Sequence, residues 1–137
     1  MEFPEDKYIT FNIWDTPGDI KYNSINKIFY KKANVAILVY DVAFENSFTL
    51  MKKYWYKKIN ELENKDIIIA IVANKSDLYE EQQVANETGE EFAKEIGAIF
   101  VSTSAQNGNG IKDLFYKIGE KIIEFEDISL LNENNKL

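Results

Sequence analysis

Four residues in a row, Asn74-Lys75-Ser76-Asp77, set an amide, an ammonium and a carboxylate directly after the apolar run IIIAIVA. A carboxylate such as Asp77 accepts two hydrogen bonds at once, which suits the N1–H and exocyclic amine of guanine; adenine cannot supply that pair. Lys75 has a methylene stem long enough to lie along a flat base, and Asn74 has the donors and acceptors to tie its loop to neighbouring ones. Taken alone, such a tetrapeptide is as readily a polar loop with a helix cap. A second polar stretch, Ser102 to Asn107 (STSAQN), ends the next apolar run. It would present the Ala105 N–H toward the same ligand, although by itself it also reads as a turn leading into the last helix. A third, WDTPGDIKY from Trp14 to Tyr22, packs Asp15, Pro17, Gly18 and Asp19 into five residues.

Composition narrows the chemistry. The chain has 137 residues, no His, no Cys and a formal charge of −7. Catalysis would therefore rest on carboxylates, Lys, hydroxyls, amides and backbone, without imidazole, thiolate, disulfide or a thiolate zinc site. An acidic surface repels phosphate backbones, so nucleic acid is not expected as a partner. Without Cys there is no prenylation site, and Met1-Glu2 offers no Gly for myristoylation, so no direct lipid anchor is expected in this chain. No apolar run has the length of a membrane span or signal peptide. The expectation is a cytoplasmic protein.

The elements that must position these residues are legible as alternation. Apolar or alternating runs occur at Tyr8 to Trp14, Val35 to Tyr40, Ile67 to Ala73 and Ala98 to Thr103. The second and third are continuous and β-branched, as in strands buried on both faces of a parallel sheet; the first alternates and is expected half-buried or near an edge. Between them lie helical stripes: Phe48, Met51, Trp55, Ile59 and Leu62 behind a Ser47 cap, and Ile111, Leu114, Phe115, Ile118, Ile122 and Phe125. Weaker helices are expected at 23–32 and 84–96. Strands alternating with helices predict right-handed βαβ units in one domain, with ligands at the carboxyl ends of the strands. Those ends read WDTPG, YDVAFEN, NKSD and STSAQ.

The order and combination of these motifs resemble a Ras-superfamily small GTPase, most closely a Rab, from about Tyr8 to Phe125. WDTPG is similar to the Rab WDTAG, IFYKKANVAILVYDVAFENSF to the Rab run from YYRGA through VYD to SF, NKSD is the guanine motif and TSAQ resembles TSAK. An early-endosomal Rab is the narrower expectation. The implied fold class is α/β, a P-loop NTPase (Ras-like) doubly wound, mostly parallel sheet, N-terminally truncated so that the first strand and helix are missing. The domain would span 1–125, with a polar, frayed tail at 126–137. The resemblance implies GTP/GDP and Mg²⁺ as cofactors, with Asp15 holding Mg²⁺ through water, Gly18 N–H meeting the γ-phosphate, and Asn74, Lys75, Asp77, Ser104, Ala105 and Gln106 binding the base. Trp14 and Phe29 match aromatic positions with which Rabs read effectors, so effector and regulator proteins are expected at Trp14 and the 18–32 switch region. The implied role is a switch in vesicle traffic, peripheral to endosomal or other vesicle membranes through partners or a segment outside this chain.

Two departures bear on catalysis. No pair of glycines forms a GxxxxGK[ST] loop, whose backbone amides and Lys cradle the β- and γ-phosphates and whose hydroxyl binds Mg²⁺. Asp19 stands where Rabs have the Gln that orients the attacking water. Ionised Asp only accepts hydrogen bonds, and its charge about 5 Å from a γ-phosphate would cost about 3 kcal/mol at an effective dielectric near 20. Pro17 is tolerable, since it restricts the backbone and removes one N–H only. The alternative expectation is a pseudo-GTPase interaction module with little hydrolysis; an unrelated flavodoxin-like or receiver domain would explain the alternation but not NKSD with TSAQ. Lacking the family's central first strand, the sheet is expected to expose strand edges or to close differently.

Overall fold

The computed structural model describes residues 1–4, 7–22, 32–62 and 66–134, with side chains through 128. Phe29 and most of the segment 18–32 lie outside the described residues. The elements are β1 (Glu2–Phe3), β2 (Lys7–Tyr8), β3 (Val35–Asp41), α1 (Glu45–Leu50) running through a π-helical stretch (Met51–Tyr56) into α2 (Lys57–Asn60), β4 (Ile68–Asn74), α3 (Asn86–Glu95), β5 (Ile99–Ser102) and α4 (Ile111–Asn134). Three strands form one parallel sheet in the order β3-β4-β5, with Val35 beside Ile68 through Asp41 beside Asn74, and Ala70 beside Ile99 through Ala73 beside Ser102.

The central strand explains the layering. Along β4, Ile71 and Ala73 face one side with Leu38, Tyr40, Phe48, Met51, Ile59, Phe92 and Ala93, while Ala70 and Val72 face the other with Val101, Leu114 and Ile118. A strand that buries both rows has no polar face to alternate, hence the unbroken IIAIVA. The helices from α1 to α3 cover the first face and α4 the second, which is the doubly wound arrangement. Two ring contacts lock the first layer: Tyr40 on Phe48 at 4.8 Å and Tyr56 edge-on to Phe92 at 5.4 Å.

Three expectations are corrected. Tyr8 to Trp14 does not form a strand. Among the described residues around this run only Lys7–Tyr8 forms a ladder, antiparallel to Glu2–Phe3; Ile9 exchanges backbone hydrogen bonds with Met1 at 2.9 and 3.0 Å, and residues 10–17 are irregular. A strand needs a ladder partner, and past Ile9 no described residue bonds to the backbone of this segment in a ladder. Phe11 still packs edge-on to Phe115 at 5.3 Å, but Ile13 is 67% exposed. Ser47 is not the helix cap. The helix starts three residues earlier, at Glu45 behind Phe44, and the Ser47 hydroxyl instead donates to the Phe44 carbonyl at 2.7 Å and accepts from Asp41 N–H at 2.9 Å. Helix α4 runs to Asn134, so the backbone of residues 126–134 is helical where fraying is expected. Its Asp127 pairs with Lys7 at 3.0 Å, and the Phe3 ring stacks on Tyr116 at 5.1 Å, docking the short β1–β2 hairpin on this helix.

Candidate functional site

The loops that follow β4 and β5 are joined at the carboxyl end of the sheet. Asn74, the last residue of β4, turns its Oδ1 across to the next loop, where it accepts from the Thr103 hydroxyl and from Ala105 N–H, both at 3.1 Å. Backbone bonds run the same way: Ser76 N–H to the Thr103 carbonyl at 3.0 Å and Thr103 N–H to the Ala73 carbonyl at 2.8 Å. The Ser104 hydroxyl donates to Asp77 Oδ1 in a short hydrogen bond. Thr103 and Ser104 are almost completely buried, so the bonds these two make satisfy groups that water does not reach. Lys75 takes the left-handed conformation, φ 65°, which reverses the chain between Asn74 and Asp77.

This geometry distinguishes roles that the motif alone does not. Asp77 is half-buried, with one oxygen engaged by Ser104 and the other accepting no hydrogen bond among the described residues. Two acceptor directions remain for a ligand, the number a guanine edge uses. Ala105 N–H differs from expectation: it is directed to Asn74 rather than left open toward a base. Gln106 is exposed and makes no described contact with the two loops. Asn74 is the clasp. Asn74→Ala would remove the acceptor of both the buried Thr103 hydroxyl and the Ala105 N–H, costing about 2 kcal/mol. The checking measurement is thermal denaturation, where a melting temperature lowered by roughly 5–10 °C is expected.

Two residues outside the expected set complete the arrangement. Thr103, at the end of β5, supplies one arm of the clasp. Asp41, at the end of β3, accepts Ala43 N–H at 2.9 Å on Oδ1 and meets Lys75 Nζ at 2.6 Å on Oδ2. Burial pushes the Asp41 carboxyl up, but the Lys75 hydrogen bond, the Ala43 N–H and the Lys75 charge together hold it below its ordinary value of 3.8. The Asp41 hydrogen bond and charge raise Lys75 above its ordinary value in turn. The register foretold this pair: Asp41 lies beside Asn74 in adjacent strands, so the next residue, Lys75, is within a side chain's reach.

The sign of the resulting pH dependence follows from the lowered Asp41 value. Unfolded Asp41 binds a proton more readily than folded Asp41, so its contribution is complete above the unfolded pKa and is lost as pH falls through the folded one. Melting temperatures measured from pH 6 down to 2 would fall less steeply below pH 4 for Asp41→Asn than for the unaltered chain; identical profiles would contradict the pairing.

The remaining expected residues stand apart from this cluster. Asp15 is exposed, Gly18 has open space around it, and no hydrogen bond or ion pair among the described residues connects them to the NKSD or STSAQ loops. Asp19 Oδ1 accepts Lys21 N–H at 3.0 Å, closing a local turn ahead of the 3-10 segment Ile20–Tyr22. Trp14 is 70% exposed. Among the described residues no three carboxylates or imidazoles converge as a metal site, and no helix is long and apolar enough to cross a membrane. The donor set of the NKSD and STSAQ loops suits the edge of a guanine base, and Asp15 stands apart from it.

Comparison with known proteins agrees with the motif order. A Ras family model matches residues 2–124. Rab-21 of Mus musculus is 37% identical over 118 residues, covering 86% of this chain and 53% of that protein. Rab5A of Oryza sativa subsp. japonica is 35% identical over 119 residues (87% of this chain, 58% of that protein), and RABF2b of Arabidopsis thaliana 35% over 117 (85% and 58%). The chain spans little more than half the length of these relatives. With its parallel α/β sheet and its NKSD and STSAQ loops joined at one end, the chain belongs to the Ras family as a Rab-like small GTPase of the Ras superfamily.

Proposed function

We propose that this chain recognises the guanine base of GTP and GDP through Asp77, on a surface formed by the NKSD and STSAQ loops. The observation that carries the reading is the clasp of Asn74 on Thr103 and Ala105, which holds Asp77 with acceptor capacity to spare. Lys75, Ser104 and Ala105 shape the same surface. Asp41 steadies Lys75 from below.

The role that goes with it is that of a Rab-type switch in vesicle traffic, with effector and regulator proteins meeting the exposed Trp14 and the adjoining 18–32 segment. Bound Mg²⁺ would neutralise phosphate charge, and Asp15 would reach it through water. With no GxxxxGK[ST] loop in these residues, affinity rests on the base, and phosphate contributes little. Hydrolysis is expected to be poor as well, because the Asp19 carboxylate is negative and already committed to Lys21 N–H. That engagement favours the second reading, a pseudo-GTPase interaction module that binds guanine nucleotide without turning it over.

The test is calorimetric titration of the chain with GDP and with ADP. Saturable heat with GDP and none with ADP supports base recognition; equal heats, or none from either, contradict it. Phosphate release at ordinary small-GTPase rates would exclude the pseudo-GTPase reading.

A further inference from the structure

The helix that begins at Glu45 and the start of α3 enclose a groove of about 290 Å³, floored by Phe48 and Val84 and walled by Lys52, Lys53, Thr49 and Thr88. Phe48 and Val84 are buried members of the core layer opposite α4, whereas Lys53, Thr49 and Thr88 are exposed. No part of its lining comes from β1, β2 or the segment 9–22, so the groove is complete within the helices and loops that build it.

Charge along this helix runs against that of the whole chain. Lys52, Lys53, Lys57 and Lys58 fall within KKYWYKK, and no Asp or Glu lies between Glu45 and Glu61, although the net charge is −7. Among the described residues none of these four lysines forms an ion pair. Lys52 is nonetheless held in place. Its Nζ lies 4.6 Å from the centroid of the Phe92 ring and 5.3 Å from that of Phe48, two rings set edge-to-face. An ammonium seated on ring faces is positioned without a counter-ion and keeps its N–H donors for an anion.

We propose that the groove docks an acidic segment of a partner protein, with one apolar side chain over Phe48 and Val84 and flanking carboxylates on Lys52 and Lys53. Its volume is at the small end of ligand pockets, which run from about 300 to 1,000 Å³, so it suits one or two side chains rather than a cofactor. Shape favours a peptide over an anionic membrane. A bilayer surface is flat, and Trp55 and Tyr56, the aromatics that would insert into one, pack against the core instead. Glu45 also lines the groove, about 10 Å before Lys52 along the helix axis, and so directs the acidic side chains of the segment to the lysine end.

Amide NMR of the chain titrated at low salt with the synthetic peptide EELEE, and with KKLKK as control, tests the proposal. The expected result is saturable shifts at Thr49, Lys52, Lys53 and Thr88 with EELEE and none there with KKLKK. Replacing both lysines, Lys52→Gln with Lys53→Gln, should weaken EELEE binding about tenfold while far-UV circular dichroism stays unchanged. If the double variant loses its fold, because Lys52 no longer seats on its rings, Lys53→Gln alone decides, since that side chain is exposed. No shift with EELEE, equal responses to the two peptides, or affinity undiminished by Lys53→Gln overturns the proposal. So does binding of phosphatidylserine vesicles through Lys57 and Lys58 while EELEE leaves the groove unmoved.

Discussion

Asp77→Asn is expected to exchange a preference for guanine for a preference for xanthine. Guanine offers two donors on the edge that the Asp77 carboxylate faces, N1–H and the exocyclic amine. An asparagine amide presents one acceptor and one donor, so its NH₂ would be set against the guanine amine. Xanthine has a carbonyl where guanine has that amine and pairs with the amide correctly. Charge-assisted hydrogen bonds contribute about 1.5–3 kcal/mol each, so losing one and opposing another should weaken GDP binding roughly a hundredfold. Competition between GDP and xanthosine diphosphate, followed by ligand-observed NMR, checks it. The substitution leaves Ser104 an oxygen to donate to, so a lost site would not be mistaken for an altered one.

Gly110→Ala is expected to cost about 3 kcal/mol or more, lowering the melting temperature by roughly 10 °C. Two effects add at this residue. Its φ of 74° is one that a residue with a Cβ adopts only under strain, and the added Cβ would lie 2.2 Å from the Ser102 carbonyl oxygen and 3.3 Å from Thr103 Cα. These neighbours are backbone atoms at the end of β5, so no side-chain rotation relieves the contact. Displacing them would pull Thr103 away from Asn74 and open the clasp. Gly97 and Gly108 separate the effects, since both have positive φ but open space around them. Alanine there should cost only the conformational strain, about 1 kcal/mol. Equal losses at Gly97, Gly108 and Gly110 would contradict the close approach.

What the sequence discloses and what it conceals divide along physical lines. β4 and the stripes running from α1 through α2 and along α4 are legible because burial on both faces or on one helical face imposes a period that composition cannot hide: Ile71, Met51, Ile59 and Ile118 all reach the core. The NKSD and STSAQ loops are legible as candidates because residue types with rare joint capabilities follow predicted strands. Their clasp is less so. Thr103 is one hydroxyl among several in STSAQN, and only the β4–β5 register puts it across from Asn74. The pairing of Asp41 with Lys75 likewise depends on which strands are neighbours.

The strand expected at Tyr8 to Trp14 shows the opposite case. Alternation of Ile9, Phe11 and Ile13 describes which sides would be wet and dry if a ladder formed, but hydrogen bonds to a neighbour make the strand, and among the described residues those bonds stop at Ile9. Phe11 finds Phe115 regardless, because an apolar ring gains from burial without needing a partner for its backbone.

The central claim is that the joined NKSD and STSAQ loops read guanine, and amide NMR of the chain titrated with GDP tests it most directly. The account predicts saturable shifts concentrated at Lys75, Asp77, Ser104 and Ala105, reproduced by guanosine alone and absent with ADP. Shifts confined to residues outside these loops, or the same response to ADP as to GDP, would contradict it.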